Sequence, residues 1–167
     1  PLAIGLIDID NFKKLNDSLG HAAGDVALQS LAARVKEWLR PVDHIARFGG
    51  EEFALVLPRT TLIDALRLVD DLRPNIRSLP LQCPLSISAG VAQWDGVEGP
   101  ESLLSRADQA LYRAKRGKAE TYIKDDRELD AFLVRRGVEH RSVRFAGNGT
   151  AVAGADSTYT AGLKDPA

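Results

Sequence analysis

The sequence predicts an α+β domain with a ferredoxin-like, palm-type antiparallel sheet, a βαββαβ core flanked by helices. Apolar runs typical of strands alternate with helical periodicity in the order β-α-β-β-α-β-α. A Gly-Gly pair separates two strand-like runs that follow each other directly, which is typical of a β-hairpin. The 167 residues are enough for one domain with its own core. This element order matches the ferredoxin-like plan.

The first half of the chain supplies a strand, a helix and a hairpin. Residues 2–9 are a short apolar run rich in β-formers and are predicted to be a buried strand. A helical face follows and ends before Pro41; its members are Leu28, Leu31, Ala32, Val35, Trp38 and Leu39. Residues 44–48 and 51–57 are the predicted hairpin strands, and we expect φ > 0 at both glycines between them.

The second half supplies a helix, a strand and another helix. Residues 62–76 carry apolar side chains at helical spacing, and Pro74 is expected to kink or shorten this helix. Residues 85–91 alternate with period two, which predicts a strand with one buried face. A helical pattern follows at 103–114, and residues 121–123 are predicted to add a last edge strand.

The character of the chain changes near residue 124. The domain is predicted to span residues 1–124, with its start truncated, because the chain begins inside a predicted strand. Residues 125–167 are predicted to be a charged segment followed by a flexible tail rich in Gly, Ala and Thr. No apolar stretch is long enough to span a bilayer, and no signal peptide is visible.

Composition limits the classes of partner and the compartment. The 22 basic and 23 acidic residues nearly cancel, which argues against a nucleic-acid groove, so we expect no nucleic-acid partner. The single cysteine, Cys83, excludes an internal disulfide framework and fits a reducing compartment. It has no partner at metal-ligand spacing, and we interpret it as an inert thiol.

Carboxylates stand at two points that the predicted topology brings together. The first strand ends near Asp8, and the third begins at Glu51. In the ferredoxin-like plan these strands pair antiparallel, so the two carboxylates become neighbours. Magnesium prefers such oxygen ligands, usually one or two carboxylates together with phosphate oxygens. The alternative is that Asp8 and Asp10 are only turn residues.

The hairpin carries the second constellation, Gly49-Gly50-Glu51-Glu52. Two glycines let a ligand approach the backbone closely. Consecutive strand residues point to opposite faces, so only one of the two glutamates can share a metal with Asp8. The alternative is an ordinary hairpin turn with exposed glutamates.

Several ordered motifs together resemble the diguanylate cyclase family, named for its GGDEF or GGEEF signature. The likeness runs from about residue 2 to residue 123, through these blocks: Asp8 to Lys13, Asn16-Asp17, Gly20-His21, Gly24-Asp25, Arg47 to Phe53, Ser88 to Val91 and Ala107 to Lys115. The resemblance implies a fold related to nucleotide cyclase catalytic domains. The sequence departs from the family in lacking the segment before the first strand. It also has Gly117-Lys118-Ala119 in place of a Gly-Arg-Asn-like stretch.

The resemblance implies roles for the matching positions. Magnesium or manganese would be held by Asp8, the carbonyl of Ile9 and Glu51. The triphosphate would be bound by backbone groups at Asn11 and Phe12, helped by Lys13 and Lys115. Lys118 stands where the family has an arginine and would serve a phosphate as a point charge, without the arginine fork. The remaining expected substrate contacts are Asn16 and Asp25 at the guanine edge, and Gly49 and Gly50, which would leave room for the facing nucleotide. Asp8, Glu51 and Glu52 would be catalytic, with Glu52 supporting activation or placement of the attacking 3′-hydroxyl.

A further match is the family's RxxD product-inhibition site, at Arg40 and Asp43. An arginine can stack on guanine and bind it through its planar fork, and a carboxylate can accept from guanine N–H groups. The alternative is a helix terminator followed by an exposed ion pair.

The activity implied by the resemblance is condensation of two GTP into cyclic di-GMP with release of pyrophosphate. The enzyme would work as a homodimer with one GTP per subunit, be inhibited by its product, and follow an upstream sensor or dimerising module. We expect it in the cytoplasm, alone or as the cytoplasmic part of a larger membrane-attached protein. Two alternatives stay open: a catalytically inactive module that binds cyclic di-GMP or GTP, and another GTP-using palm-like enzyme.

Overall fold

The computed structural model of the chain describes residues 1–117, 119–123, 143–146 and 150–154. Within these residues, the strands in chain order are β1 (Leu2–Ile9), β2 (His44–Arg47), β3 (Glu52–Pro58), β4 (Ile87–Gln93), β5 (Ala119–Ile123), β6 (Val143–Ala146) and β7 (Thr150–Gly154). The helices are α1 (Phe12–Leu19), α2 (His21–Trp38), α3 (Leu62–Arg77) and α4 (Pro100–Gly117).

The first four strands form an antiparallel sheet in the order β2-β3-β1-β4. β1 is central and pairs antiparallel with both β3 and β4. Asp8 lies opposite Glu52 on one side and opposite Ser88 on the other. This topology is the ferredoxin-like arrangement, so the predicted fold class is confirmed.

Helices cover both faces of this sheet. On one face, α1, α2 and α3 pack on the odd-numbered residues of the strands, in a core that includes Ile7, Leu55, Ile87, Leu31, Val35, Leu66 and Val69. On the other face, α4 packs on even-numbered residues in a smaller core that contains Leu6, Ala92, Leu103, Ala107 and Leu111. The alternation of strand side chains thus places two different helix layers on one sheet.

The prediction that the fourth strand has one buried face is wrong. β4 is buried on both faces, because α4 packs over Gly90 and Ala92. A Cβ added at Gly90 would overlap the backbone of Ala107 and Leu111 in α4. The glycine is therefore required for the close approach of helix and strand.

The helices differ from the prediction at two places. The sequence pattern gave no sign of α1, because this eight-residue helix is mostly polar and its one fully buried side chain is Phe12. Pro74 does not shorten α3, which continues to Arg77, and a kink at this proline stays a prediction. The carbonyl of Pro74 accepts a hydrogen bond from the Ser78 N–H at 3.0 Å, in the usual helical direction.

The hairpin between β2 and β3 is confirmed, but the expected positive φ at Gly49 and Gly50 is wrong. Among the described glycines, positive φ occurs at Gly20 and Gly96. The loop spans residues 48–51, and the N–H groups of Phe48 and Gly49 both donate to the Glu52 carbonyl, at 2.8 and 3.2 Å. Longer hairpin loops of this kind are commonly built on type I geometry, which needs no positive φ.

The strand expected at residues 121–123 is present within β5. It lies at the edge of a separate three-stranded sheet with the order β5-β7-β6. Within residues 125–167 the structure describes β6 and β7, and the other residues of this segment lie outside the described ranges. The division at residue 124 therefore stays a prediction. None of the described helices is both long enough and apolar enough to cross a membrane.

Candidate active site

Asp8 is the centre of the candidate site. It lies at the end of β1, and only 3% of its surface is exposed. Its Oδ2 accepts from the Lys115 ammonium of α4 at 2.7 Å. Burial raises the pKa of the Asp8 carboxyl, the Lys115 partner opposes that rise, and the nearby Glu51 and Glu52 charges add to it. The site therefore concentrates negative charge at a poorly hydrated position.

The topology argument predicted Glu51 as the neighbour of Asp8. In the structure β3 begins one residue later, so Glu52 lies opposite Asp8 and Glu51 lies just before the strand. The N–H of Ile9 donates to the Glu51 carbonyl at 3.3 Å, and Glu52 is the direct β-partner of Asp8. Both glutamates are half-buried. The antiparallel pairing of β1 and β3 thus joins carboxylates that are 43 and 44 positions apart in the sequence.

These residues suit a divalent cation by the chemistry of their donors. Carboxylate and carbonyl oxygens are what Mg²⁺ and Mn²⁺ bind. A cation would favour the charged form of Asp8, whose pKa is raised mainly by burial and further by the charges of Glu51 and Glu52. In the described part of the chain, no three His, Cys, Asp or Glu side chains form a group that could hold a metal. The predicted set has only two such side chains, Asp8 and Glu51, and would need phosphate oxygens or water to complete it.

The N-terminus of α1 lies directly after β1. Asn11 precedes the helix in the left-handed conformation, with φ 56° and ψ 28°, and its side chain makes no capping hydrogen bond. The first hydrogen bond of the helix runs from the Leu15 N–H to the Asn11 carbonyl, at 3.1 Å. The N–H groups of residues 12–14 therefore have no acceptor within the helix. Lys13 is exposed in this first turn. Free N–H groups with a lysine are a suitable environment for phosphate oxygens.

Asn16 on α1 and Asp25 on α2 lie on the two helices that meet at Gly20. The Asn16 Oδ1 is buried and has no hydrogen-bond partner among the described residues. A Cβ at Gly24 would overlap this oxygen, so the glycine is what makes room for it. Asp25 is exposed beside it. A buried amide oxygen without a hydrogen-bond donor is costly unless a ligand supplies one. This fits the predicted contact of Asn16 with the guanine edge.

Asp10 makes a contact with Ser88 that the sequence did not indicate. Its Oδ1 accepts from the Ser88 hydroxyl of β4 at 2.7 Å, and its N–H donates to the Ser86 carbonyl at 2.9 Å. These bonds tie the turn between β1 and α1 to the neighbouring strand. A buried hydroxyl in the otherwise apolar β4 is the signal that could have found it.

The side chains of Arg40 and Asp43 form an ion pair with each other. The sequence analysis had left two interpretations of these residues, a product-inhibition site or a helix terminator followed by an exposed ion pair. Nε and Nη2 of Arg40 donate to the two carboxylate oxygens at 2.9 and 2.6 Å. Nη2 also donates to the Pro58 carbonyl at 2.9 Å and to the Thr60 hydroxyl at 2.6 Å. The Asp43 side chain is 3% exposed, whereas that of Arg40 is 50% exposed. Arg40 therefore presents a free face to solvent, and Asp43 orients it.

The hairpin glycines, Lys118 and Cys83 remain from the sequence analysis. Gly49 and Gly50 form the hairpin tip, and a Cβ at Gly50 would meet no atom within 4 Å. Lys118 lies outside the described residues. Cys83 is half-buried and lines an apolar pocket of about 290 Å³ between α1, α2 and the segment before β4.

A family model described as "Diguanylate cyclase, GGDEF domain" matches residues 1–121. Diguanylate cyclase DgcP of Pseudomonas aeruginosa is 48% identical over 120 residues, which cover 69% of this chain and 18% of that protein. Response regulator PleD of Caulobacter vibrioides is 42% identical over 124 residues, covering 69% of this chain and 27% of that protein. The chain thus spans about a fifth to a quarter of the length of these two relatives.

Solved structures of GGDEF and GGEEF domains also match this chain. The GGDEF domain of DgcB from Caulobacter crescentus, in complex with c-di-GMP, matches with a TM-score of 0.69 and 31% identity. The match covers 72% of this chain and 75% of that one. The GGEEF domain of a diguanylate cyclase from Vibrio cholerae matches with a TM-score of 0.66 and 36% identity, over 70% and 77% of the two chains. The chain therefore belongs to the family of diguanylate cyclase GGDEF domains.

Proposed function

We propose that this chain is a diguanylate cyclase that condenses two GTP into cyclic di-GMP and releases two pyrophosphates. The observation that carries the proposal is the position of Asp8 at the end of β1, where Glu52 is its partner in β3 and the Glu51 carbonyl is bonded to the Ile9 N–H. Asp8 also lies just before the α1 N-terminus and is contacted by Lys115. Oxygen ligands for a divalent cation, backbone donors and a lysine are the parts that a nucleotidyl transfer needs.

The reaction is an in-line attack of a 3′-hydroxyl oxygen on the α-phosphorus of a second GTP. A new P–O bond forms, the bond between the α-phosphorus and its bridging oxygen breaks, and pyrophosphate leaves; repetition closes the ring. A divalent cation bound at Asp8, the Ile9 carbonyl and Glu51 would neutralise charge on the phosphates. Lys13 and Lys115 bind phosphate oxygens. Glu52 helps to place the attacking hydroxyl and to remove its proton.

Substrate choice and assembly follow from the rest of the site. Asn16 and Asp25 select guanine, since an amide and a carboxylate complement its edge. One such site holds one GTP, so the attacking hydroxyl comes from a second subunit, and two-fold pairing brings the two sites face to face. The open tip at Gly50 leaves space for the facing nucleotide. An upstream module would favour this pairing, and we place the reaction in the cytoplasm.

Product inhibition through Arg40 is part of the proposal. The half-exposed guanidinium offers one face for stacking on guanine. Asp43 acts by holding Arg40 in place, because both of its oxygens are already engaged by that arginine. A bound product at this site would hold two subunits in a pairing that separates the active sites.

The test is product analysis after incubation of the nucleotide-stripped chain with GTP and magnesium, at high protein concentration and again after fusion to a dimerising coiled coil. We expect cyclic di-GMP and pyrophosphate in a ratio of one to two. Arg40→Ala should keep this activity and release it from inhibition by added product. If no product forms under either condition while cyclic di-GMP still binds, the chain is a receptor module and the proposal is wrong.

A further inference from the structure

The hairpin tip that precedes Glu51 is held by a side chain outside the predicted site. Arg47, the last residue of β2, donates from Nε to the carbonyls of Gly49 and Gly50 at 3.2 and 3.1 Å. Its Nη2 donates to the same Gly50 carbonyl at 2.7 Å. The guanidinium is thus a fork that closes on two consecutive carbonyls of the loop, in the planar geometry that arginine provides.

Few other contacts constrain the tip of this loop among the described residues, although the Glu52 side chain lies against Gly49. It contains two glycines, whose backbones lose the most conformational freedom when they are ordered. Phe48 is 57% exposed, and a Cβ at Gly50 would have no neighbour within 4 Å. Two backbone bonds fix the base of the loop at Glu52, but they do not reach its tip. Within the described residues, the Arg47 fork is the side-chain contact to the Gly50 carbonyl.

The position of the tip decides where Glu51 lies. Glu51 follows Gly50 directly, and its carbonyl is bonded to the Ile9 N–H at 3.3 Å, at the long end of the range. A loop that moves would therefore carry the Glu51 carboxylate away from Asp8. A loop that is clamped keeps the Glu51 backbone beside Ile9, at the end of β1, before any ligand binds.

We propose that Arg47 is a positioning residue that clamps the hairpin carbonyls and so presents Glu51 to the site at Asp8. This inference rests on the proposed function for its catalytic consequence, but the clamp itself is a property of the free chain. An arginine that bound the triphosphate directly would behave differently, because its loss would weaken GTP binding rather than disorder the loop.

The experiment compares Arg47→Ala, Arg47→Lys and the control Arg34→Ala, which removes a surface ion pair on α2. Backbone ¹⁵N relaxation is measured first, on the full chain without nucleotide. In Arg47→Ala we expect the order parameters of the residue 49–51 amides to fall from about 0.85 to below about 0.6, with those of β1 and β3 unchanged. Arg47→Lys should restore them only in part, because an ammonium cannot form the fork.

Turnover is measured next. For Arg47→Ala we expect kcat to fall about 10- to 100-fold, as for other residues that orient a ligand through a neighbour, with the KM for GTP changed less than about threefold. Unchanged order at Gly49 and Gly50 would overturn the clamp. A raised KM with unchanged kcat would make Arg47 a nucleotide ligand and overturn the positioning role. If the wild type makes no cyclic di-GMP, the proposed function fails, whereas the relaxation data still decide whether Arg47 holds the loop.

Discussion

The Lys115 ammonium lies 2.7 Å from Oδ2 of Asp8, so the lysine expected to bind phosphate is paired with the carboxylate expected to bind metal. Lys115 is 41% exposed at its side chain and approaches from the last turns of α4. In the proposed function a cation at Asp8 would compete with this ammonium, and a triphosphate would offer the ammonium a new partner. Such an exchange would couple metal binding to nucleotide binding.

Replacing Lys115 by methionine should strengthen metal binding to the nucleotide-free chain. The substitution removes the competing ammonium, and for a partly exposed pair the expected gain is about 1 kcal/mol, or roughly fivefold in Kd. Titration with Mn²⁺, followed by electron paramagnetic resonance, measures it directly. Arg116→Met is the matched control, because Arg116 contacts Tyr112 and not Asp8. Equal or weaker Mn²⁺ binding in Lys115→Met would show that Lys115 does not compete with the cation for Asp8.

Glu51→Gln should remove turnover while leaving the fold and product binding intact. The amide keeps the shape of the side chain but removes its charge, so metal coordination fails at the transition state. We expect kcat to fall by more than about 100-fold, since even outer-shell changes around metals cost 10- to 100-fold. Binding of cyclic di-GMP through Arg40 should stay within a factor of about two by calorimetry.

The control for this variant is Glu37→Gln, an exposed glutamate on α2 paired with Arg34. It should behave as the wild type in both assays. A parallel loss of turnover and product binding in Glu51→Gln would mean that the active and inhibitory sites are not separate.

Gly90→Ala should destabilise the domain strongly. The new methyl group would overlap the backbone of Ala107 and Leu111, so α4 must move away from the sheet. We expect a loss of about 3 kcal/mol in the free energy of unfolding and a fall in Tm of about 10 °C. Differential scanning calorimetry and urea denaturation measure both quantities.

Gly50→Ala is the matched control, since its Cβ would enter open space at a position without positive φ. It should leave Tm unchanged within about 2 °C. In the proposed dimer the same methyl group faces the second nucleotide, so turnover should fall nonetheless. A stable Gly90→Ala variant would refute the close packing of α4 on β4.

The pair of Arg40 and Asp43 makes the free energy of unfolding depend on pH. The hydrogen bond from the Arg40 side chain lowers the pKa of Asp43, against the opposing effect of burial. A carboxyl whose folded pKa is lowered stabilises the fold above its unfolded pKa of about 3.9, and this contribution is lost as pH falls through the folded pKa. Asp43→Asn should therefore be less stable than the wild type at pH 7, by about 1–2 kcal/mol.

The difference between Asp43→Asn and the wild type should shrink as pH falls below about 4 and vanish once both side chains are neutral. Urea denaturation between pH 3 and pH 7 measures this difference in the free energy of unfolding. The control is Asp108→Asn, a substitution at an exposed position of α4. A difference that is constant over this range would mean that the loss comes from packing and not from the charge of Asp43.

The fold class, the order of the strands and the helices other than α1 could be predicted from the sequence. The strands next to Asp8 and Glu51 were identifiable because their apolar residues recur with a strand pattern between turn signals. Once the order was known, the ferredoxin-like plan allowed only one pairing for β1 and β3. The neighbourhood of the two carboxylates followed from topology alone, since antiparallel pairing joins the end of one strand to the start of the other.

The contacts that hold these residues in place became visible only in the folded chain. No local pattern indicates that Lys115 reaches Asp8, that Ser88 holds Asp10, or that Arg47 closes on the hairpin, because each contact joins elements through space or through loop shape. The same reason explains the errors at β4 and at the hairpin glycines. Burial of a strand's second face depends on a helix far along the chain, and the φ angles of a loop depend on its length and bonding. Periodicity reports which face of an element is apolar, whereas contacts between elements arise only when the chain has packed.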